Sequence, residues 1–506
     1  MAKPTFVVYR EAIRAGKAPE DHPSREARLR ELRGGRPVEA GAYVLYWMQM
    51  YMRGSENAAL DEAIHRANEL DLPLLVYQGL NSNYPEANAR VHTFILECAR
   101  DVALELAERG ISYRFHLRRT RPARGSVLVH LARNAACVVV DDFPAFILPR
   151  VTDALVRHTA DAGVPVVAVD ANGLVPLQAI SKRQYAAYTI RPRLHARVAE
   201  NLVPAPAPVL QNRDTPLLPV SSDRFVELGS LDDAGLAAIV LSCDIDQAVL
   251  PSLRHTGGRR AAKTKLARFI EDDLERYADL RSDPGQAATS GLSPYMHFGC
   301  LSTLEVVRQV LLADANDEST DAFLEELVVR RELSYNFCHY TPTKDHSSLA
   351  VLPDWVKKTL SEHAADERNP TYTTVQLEAG RTHDEIWNAA QRELVSTGTF
   401  QGYLRMLWGK NIIRWTDSYE QAQEFMIRMH HRYALDGRNP NTYASILWCF
   451  GLHDRAFREQ AVLGKLRPLN SSSTSRKFDL EPYFQMVETA VEERAMPILS
   501  DSPSKP

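Results

Sequence analysis

No stretch of this 506-residue chain is apolar for long enough to cross a bilayer. Runs such as Ala136–Val140 and Val164–Val169 fall far short of the roughly 20 residues a spanning helix needs. The opening MAKPTFVVYREAIRAGK lacks an apolar core followed by a small-residue cleavage site, so no secretory signal is read there. Cysteine is sparse and unpaired in spacing. Cys98, Cys137, Cys243, Cys300, Cys338 and Cys449 form no CxxC pair, which excludes a disulfide scaffold and predicts buried free thiols in a reducing cytoplasm. Sixteen histidines include no HExxH, so no metal site is expected, and no GxGxxG supports a dinucleotide site. An excess of positive charge is missing too: the net charge is −4. A protein relying on non-specific phosphate contacts is usually basic throughout, so binding to DNA would have to use a local patch.

What is present describes a globular chain, 45% apolar and 25% charged, long enough for two or three domains. Short apolar runs at Tyr43–Trp47, Pro73–Tyr77, Ile111–Phe115, Cys137–Val140 and Val164–Val169 read as strands. Amphipathic stretches at Asn57–Asn68, Ala89–Arg109, Gly125–Asn134 and Pro149–Ala162 read as helices between them. This alternation predicts an α/β domain with a doubly wound parallel sheet over 42–178, preceded by an N-terminal arm at 1–41. Residues 179–250 read as an interdomain linker, proline-rich at 203–219. From about Lys263 the periodicity is helical, which predicts an all-α domain over 251–490 and a polar tail at 491–506.

Trp387, Trp408 and Trp415 fall in this helical region, in THDEIWNAAQ and GYLRMLWGKNIIRWT. The seven residues from Trp408 to Trp415 return to nearly one helix face about 10 Å further along. Oxidisable indoles staged in this way can carry an electron between a buried centre and solvent, although such stripes usually serve packing. In TSGLSPYMHFG, Thr289, Ser290, Gly291, Leu292 and Ser293 lead a loop into a helix at Pro294, an arrangement that suits a diphosphate and equally an ordinary N-cap. Tyr277 and Arg281 stand one turn apart upstream. Downstream, LDGRNPNTY concentrates Asp436, Gly437, Asn439 and Asn441 in a turn-rich loop. Arg405, beside the tryptophan stripe, requires a carboxylate partner, and Asp436 is the natural one.

Together, LSPYMHFG, VVRRELSYNFC, THDEIWNAAQ, LRMLWGKNIIRW, DGRNPN and GLHDRAF resemble the photolyase/cryptochrome family, and within it the class II cyclobutane pyrimidine dimer photolyases. The resemblance runs from about Tyr43 to Leu480. It implies an antenna-type α/β domain and a helical domain holding FAD, with a second chromophore of deazaflavin type as a further expectation. It assigns Tyr277, Thr289–Ser293, Arg405, Asp436, Gly437 and Asn441 to the cofactor, and Trp387, Trp408 and Trp415 to electron transfer, with Trp415 outermost. Arg281, Glu326, Met406 and Trp448 would meet a pyrimidine dimer flipped out of double-stranded DNA. The implied activity is light-driven dimer repair by a cytoplasmic monomer. The alternatives are a cryptochrome-like blue-light sensor or repair of a different photolesion. Arg455, Arg458, Lys465, Arg467, Arg476 and Lys477 supply a local basic patch.

Three departures stand out. Where the class II pattern has WMxRDQR, this chain has WMQMYMR, with Met50, Tyr51 and Met52 replacing charged and amide residues. Arg330 stands where tryptophan is common and, four residues after Glu326, is expected to pair with it and weaken dimer binding. His430 occupies the position of a flavin-facing asparagine, where an imidazole is expected to exchange a proton near neutral pH.

Overall fold

The run Tyr43–Trp47 becomes β2, a central strand buried at all five positions, because parallel neighbours on both edges and helices on both faces leave it no solvent side. The structure, a computed structural model, describes residues 5–15, 25–120, 126–204, 206–286 and 288–495. Its six strands are β1 (Leu29–Arg33), β2, β3 (Leu74–Asn81), β4 (Ser112–Arg118), β5 (Ala135–Asp141) and β6 (Val166–Val169). They lie in the order β1-β6-β5-β2-β3-β4, parallel except for β1, which runs antiparallel to β6. The crossovers are α1 (Ala58–Leu70), α2 (Ala89–Glu108), α3 (Val127–Arg133) and α4 (Leu148–His158). Asn57 and Asn88 start α1 and α2 by accepting the first free backbone N–H groups.

Two stretches differ from the sequence reading. The N-terminal arm contributes β1, whose LRELR pattern carried no apolar signal, because an edge strand pairs along one side only and can stay polar. The stretch read as linker carries α5 (Ala187–Val198) and a helix at Asp233–Leu241, which packs Leu236, Ile239 and Val240 against Leu96 and Ala99 of α2. Its proline-rich part is extended and follows the α/β surface, where Asn68 Nδ2 donates to the Val209 carbonyl at 2.9 Å.

The C-terminal half is helical: α6 (Arg259–Arg268), α7 (Ser293–His297), α8 (Asp354–Glu362), α9 (Glu385–Thr397), α10 (Gly402–Trp415), α11 (Tyr419–Tyr433), α12 (Pro440–Cys449) and α13 (Glu481–Ala495) carry the site described below. Helix α13 continues through 491–495, and the remainder of the expected tail lies outside the described residues. The two halves share one apolar core. Arg90, buried on α2, joins them by donating to the carbonyls of Leu394, Val395 and Ser396 at the end of α9 and of Tyr433 at the end of α11. Those carbonyls are the ones a helix end leaves without intrahelical partners. Among the described residues no helix is long and apolar enough to cross a membrane.

Candidate functional site

Helix α10 begins at Gln401, whose side chain accepts from the Tyr403 and Leu404 amides while its Nε2 donates to the Arg281 carbonyl at 2.7 Å. That bond brings Arg405 and Met406 toward the Tyr277–Arg281 turn. Arg405 Nη2 lies 3.3 Å from both oxygens of Asp436. Ser293 of the TSGLS loop donates its hydroxyl to Asp436 Oδ2 at 2.7 Å, so three segments that are distant in sequence meet at one carboxylate. Burial pushes the Asp436 pKa up, but the Arg405 cation and the Ser293 hydroxyl outweigh it and hold the group below the usual carboxylate range.

Gly437 follows Asp436 for a steric reason. A Cβ there would lie 1.8 Å from the His430 carbonyl oxygen. Gly437→Ala is expected to lower stability by at least about 1–3 kcal/mol, read as a fall in Tm. Asp436→Ala strands the half-sheltered Arg405 cation and is expected to cost about 3–5 kcal/mol together with cofactor retention. A variant as stable as the parent would show that the pair is solvent-screened.

Three buried polar atoms around this carboxylate have no partner: Arg405 Nε, His430 Nε2 and His255 Nδ1. Buried polar groups are normally satisfied, so these fit the polar edge of a bound heterocycle. Gly291, at φ +61°, keeps the TSGLS loop open beside Lys265, where a Cβ would meet Lys265 Cε at 2.7 Å. His255 and Lys265 lie at this site without having drawn attention in the sequence, since neither belongs to a local motif. Thr289 and Ser293 are exposed, Ser290 accepts from the Leu292 amide, and Asn441 is half-buried. Asn439 does structural work: it caps α12 and donates to Tyr335 Oη at 3.1 Å. Tyr277 is buried edge-on against Phe269 and Phe323.

His430 departs from the expectation of proton exchange near neutral pH. It is 1% exposed, its Nδ1–H donates to the Met426 carbonyl at 2.8 Å, and burial pulls its pKa down to about 4. Desolvation disfavours the imidazolium, so the ring is neutral and Nε2 is an acceptor.

His430 packs edge-on against Trp408 at 5.4 Å. From Trp408 the indoles continue in an order the spacing did not reveal. Trp387, on α9, inserts between the two tryptophans of α10. It lies 6.3 Å from Trp408 with the planes 3° apart, and 5.5 Å from Trp415 at 69°. Both inner indole N–H groups are satisfied, Trp387 by the Trp408 carbonyl at 3.0 Å and Trp408 by Gln391 Oε1 at 2.8 Å. Trp415 meets Tyr372 at 5.6 Å and the exposed His383 at 5.3 Å. Tyr372 Oη and His383 Nδ1 are 2.6 Å apart. Eleven residues separate these two in sequence and no periodic pattern joins them, so the sequence offered no signal for either.

The expected pairing of Glu326 with Arg330 is not formed. Residues Glu325–Arg330 make a π-helical turn, in which side chains five apart stack more closely than those four apart. Arg330 therefore approaches Glu325 (3.8 Å), which is held by Arg191 at 2.5 Å. Glu326 pairs instead with Arg281 at 2.8 Å, so the weakening of dimer binding expected from Arg330 loses its basis. Met406 and Trp448 are half-buried, and Trp448 lies between Lys410 and Arg467, whose cations are 5.8 and 5.5 Å from its ring centre. Arg467 is already committed to Asp454 by two bonds, 2.8 and 2.9 Å, which removes it as a free phosphate contact. Lys465 lies 3.9 Å from Glu459, while Arg455 is exposed and stacks on Phe457. Met50, Tyr51 and Met52 are buried, and the Met50 and Tyr51 amides donate to Asp141.

Residues 44–209 match the family model described as DNA photolyase. The chain is 36% identical over 467 residues to a deoxyribodipyrimidine photo-lyase of Methanothermobacter thermautotrophicus, covering 92% of this chain and 99% of that one. It is 36% identical to a deoxyribodipyrimidine photo-lyase of Oryza sativa subsp. japonica, covering 90% and 88%. Among solved structures, a class III photolyase from Agrobacterium tumefaciens superposes with a TM-score of 0.63 at 19% identity, over 90% of this chain and 87% of that one.

Proposed function

Because this chain belongs to the DNA photolyase family, we propose that it repairs cyclobutane pyrimidine dimers in double-stranded DNA, using light and reduced FAD. The observation that carries this reading is the buried Arg405–Asp436 pair, with its three unpartnered polar atoms, at the inner end of the line Trp408, Trp387, Trp415. When bound and reduced, FAD supplies the light-excited electron that splits the dimer.

The protein's own residues position and insulate. Arg405 and Asp436 set a fixed charge pair against the polar edge of the cofactor, with Ser293 closing the carboxylate's second side. Gly291, Lys265 and the Thr289–Ser293 backbone face the diphosphate. His430, neutral and oriented by Met426, offers Nε2 as an acceptor and adds no charge. The three indoles carry an electron inward from the surface, leaving the deficit at Trp415 beside Tyr372 and His383.

At the substrate end, Arg281 holds Glu326 in place and Trp448 offers an aromatic wall to the extruded bases. Extrusion costs a few kcal/mol at most, and less for a damaged step, which favours the lesion over intact DNA.

The test is direct. Purified protein is expected to carry or take up FAD and, under blue light with reductant, to restore thymine absorbance in a dimer-containing oligonucleotide. Flavin photoreduction without restored absorbance would move the reading to a light sensor.

A further inference from the structure

Between residues 180 and 200 the chain places five cations, Lys182, Arg183, Arg191, Arg193 and Arg197, against one carboxylate, Glu200. In a protein of net charge −4 this is a concentrated basic segment. It falls in the stretch that read as linker, and the repair chemistry above makes no use of it. Two of the cations have internal tasks: Arg191 pairs with buried Glu325, and Arg183 lies 4.8 Å from the Phe337 ring centre. The others, Lys182, Arg193 and Arg197, are exposed, and among the described residues none forms an ion pair. The only side-chain bond of Arg193 returns to its own helix, at the Thr189 carbonyl.

The same segment exposes aromatic surface. Tyr188 is 65% exposed and Tyr185 47%, and Trp355 of α8 lies beside them, its Nε1 3.4 Å from Tyr185 Oη. Exposed rings next to unpaired cations are unfavourable for an isolated surface and mark a binding face. The location is fixed by the fold. Arg191 fastens α5 to Glu325, the neighbour of Glu326 in the π-helical turn, and the Tyr185 carbonyl accepts from His453 Nδ1 at 2.6 Å, five residues beyond Trp448. The platform therefore adjoins the Arg281–Glu326–Trp448 pocket.

Rings that stack on bases and cations that track phosphates together recognise unpaired nucleotides, since paired bases hide their faces inside the duplex. Extruding a dimer leaves the two bases opposite it without partners or stacking neighbours. We propose that Lys182, Tyr185, Tyr188, Arg193 and Arg197 form a docking surface for the strand opposite the lesion, stacking its orphaned bases and holding its phosphates. This rests on the reading of the neighbouring pocket as the lesion site.

The experiment measures equilibrium binding in the dark, over a range of salt, to a dimer-containing duplex and to the same lesion strand alone. Tyr188→Ala and the double variant Lys182→Ala/Arg193→Ala are compared with the parent, and an unchanged flavin spectrum and Tm report correct folding. Tyr188→Ala is expected to weaken duplex binding about tenfold, the scale of one lost base–ring stack. The double variant is expected to lower the slope of log K against log salt by about 1.4–1.8, for two phosphate contacts. Neither variant is expected to change affinity for the single lesion strand. Unchanged duplex affinity would overturn the proposal, and so would equal weakening on the single strand, which would place the contact on the lesion strand. A parent protein that binds damaged and intact duplex alike would instead overturn the pocket reading on which the proposal rests.

Discussion

Trp387→Phe is expected to stop light-driven reduction of the bound flavin, although Trp387 lies on a different helix from the other two indoles. Along one face of α10, Trp408 and Trp415 are separated by seven residues, a rise of about 10 Å. Through Trp387 the same journey divides into ring-centre separations of 6.3 and 5.5 Å. Electron transfer weakens steeply with distance, so the inserted indole is the route and the spaced pair alone is a poor one. The measurement follows oxidised-flavin absorbance under steady blue light with an external thiol, in Trp387→Phe, Trp408→Phe and the parent. Both variants are expected to lose photoreduction, while repair by chemically reduced enzyme continues. A Trp387→Phe protein that reduces at the parental rate would show that electrons pass directly along α10. Because phenylalanine also gives up the bond to the Trp408 carbonyl, an unchanged Tm is part of the comparison.

The second large effect is acid lability that begins well above the carboxylate range. Burial holds four imidazoles around the site neutral: His430 and His255 at about 4, His297 and His431 at about 3. In the unfolded chain each titrates near 6.5. Below that value the unfolded state takes up protons that the folded state refuses, so stability falls as pH falls. Each group contributes about 1.4 kcal/mol per pH unit through the window, until the folded pKa is reached. Asp436 acts in the same direction at still lower pH, because its depressed folded pKa stabilises the native state only while the group is ionised. Tm is therefore expected to drop steeply between pH 7 and 5, and His430→Asn to shallow that slope by one proton. A flat Tm over this range would show that the imidazoles reach solvent or accept protons where they stand.

Much of the frame was legible in the sequence. Tyr43–Trp47 read as a buried strand because an unbroken apolar run of that length suits a strand covered on both faces, and the structure has the same bounds. The crossover helices were visible for a related reason, since the 3.6-residue repeat is local. Motifs such as TSGLSPY and DGRNPN announced the family, and Arg405 found the carboxylate its charge required.

What the tertiary structure alone decided lies in relations between segments that no local repeat encodes. Strand β1 joins the sheet through backbone bonds that ignore its polar side chains. Trp387 enters between Trp408 and Trp415 because two helices pack side by side, and periodicity within one helix cannot report the other. His430 read as a proton exchanger until burial made its charged form too costly. Glu326 read as the partner of Arg330 until a π-helical turn changed which side chains share a face and left Arg281 beside it. Residue identity and short-range spacing determine which elements form and which chemistry is available. Packing sets each group's distance, solvation and partner, and so decides which of those chemistries the molecule can use.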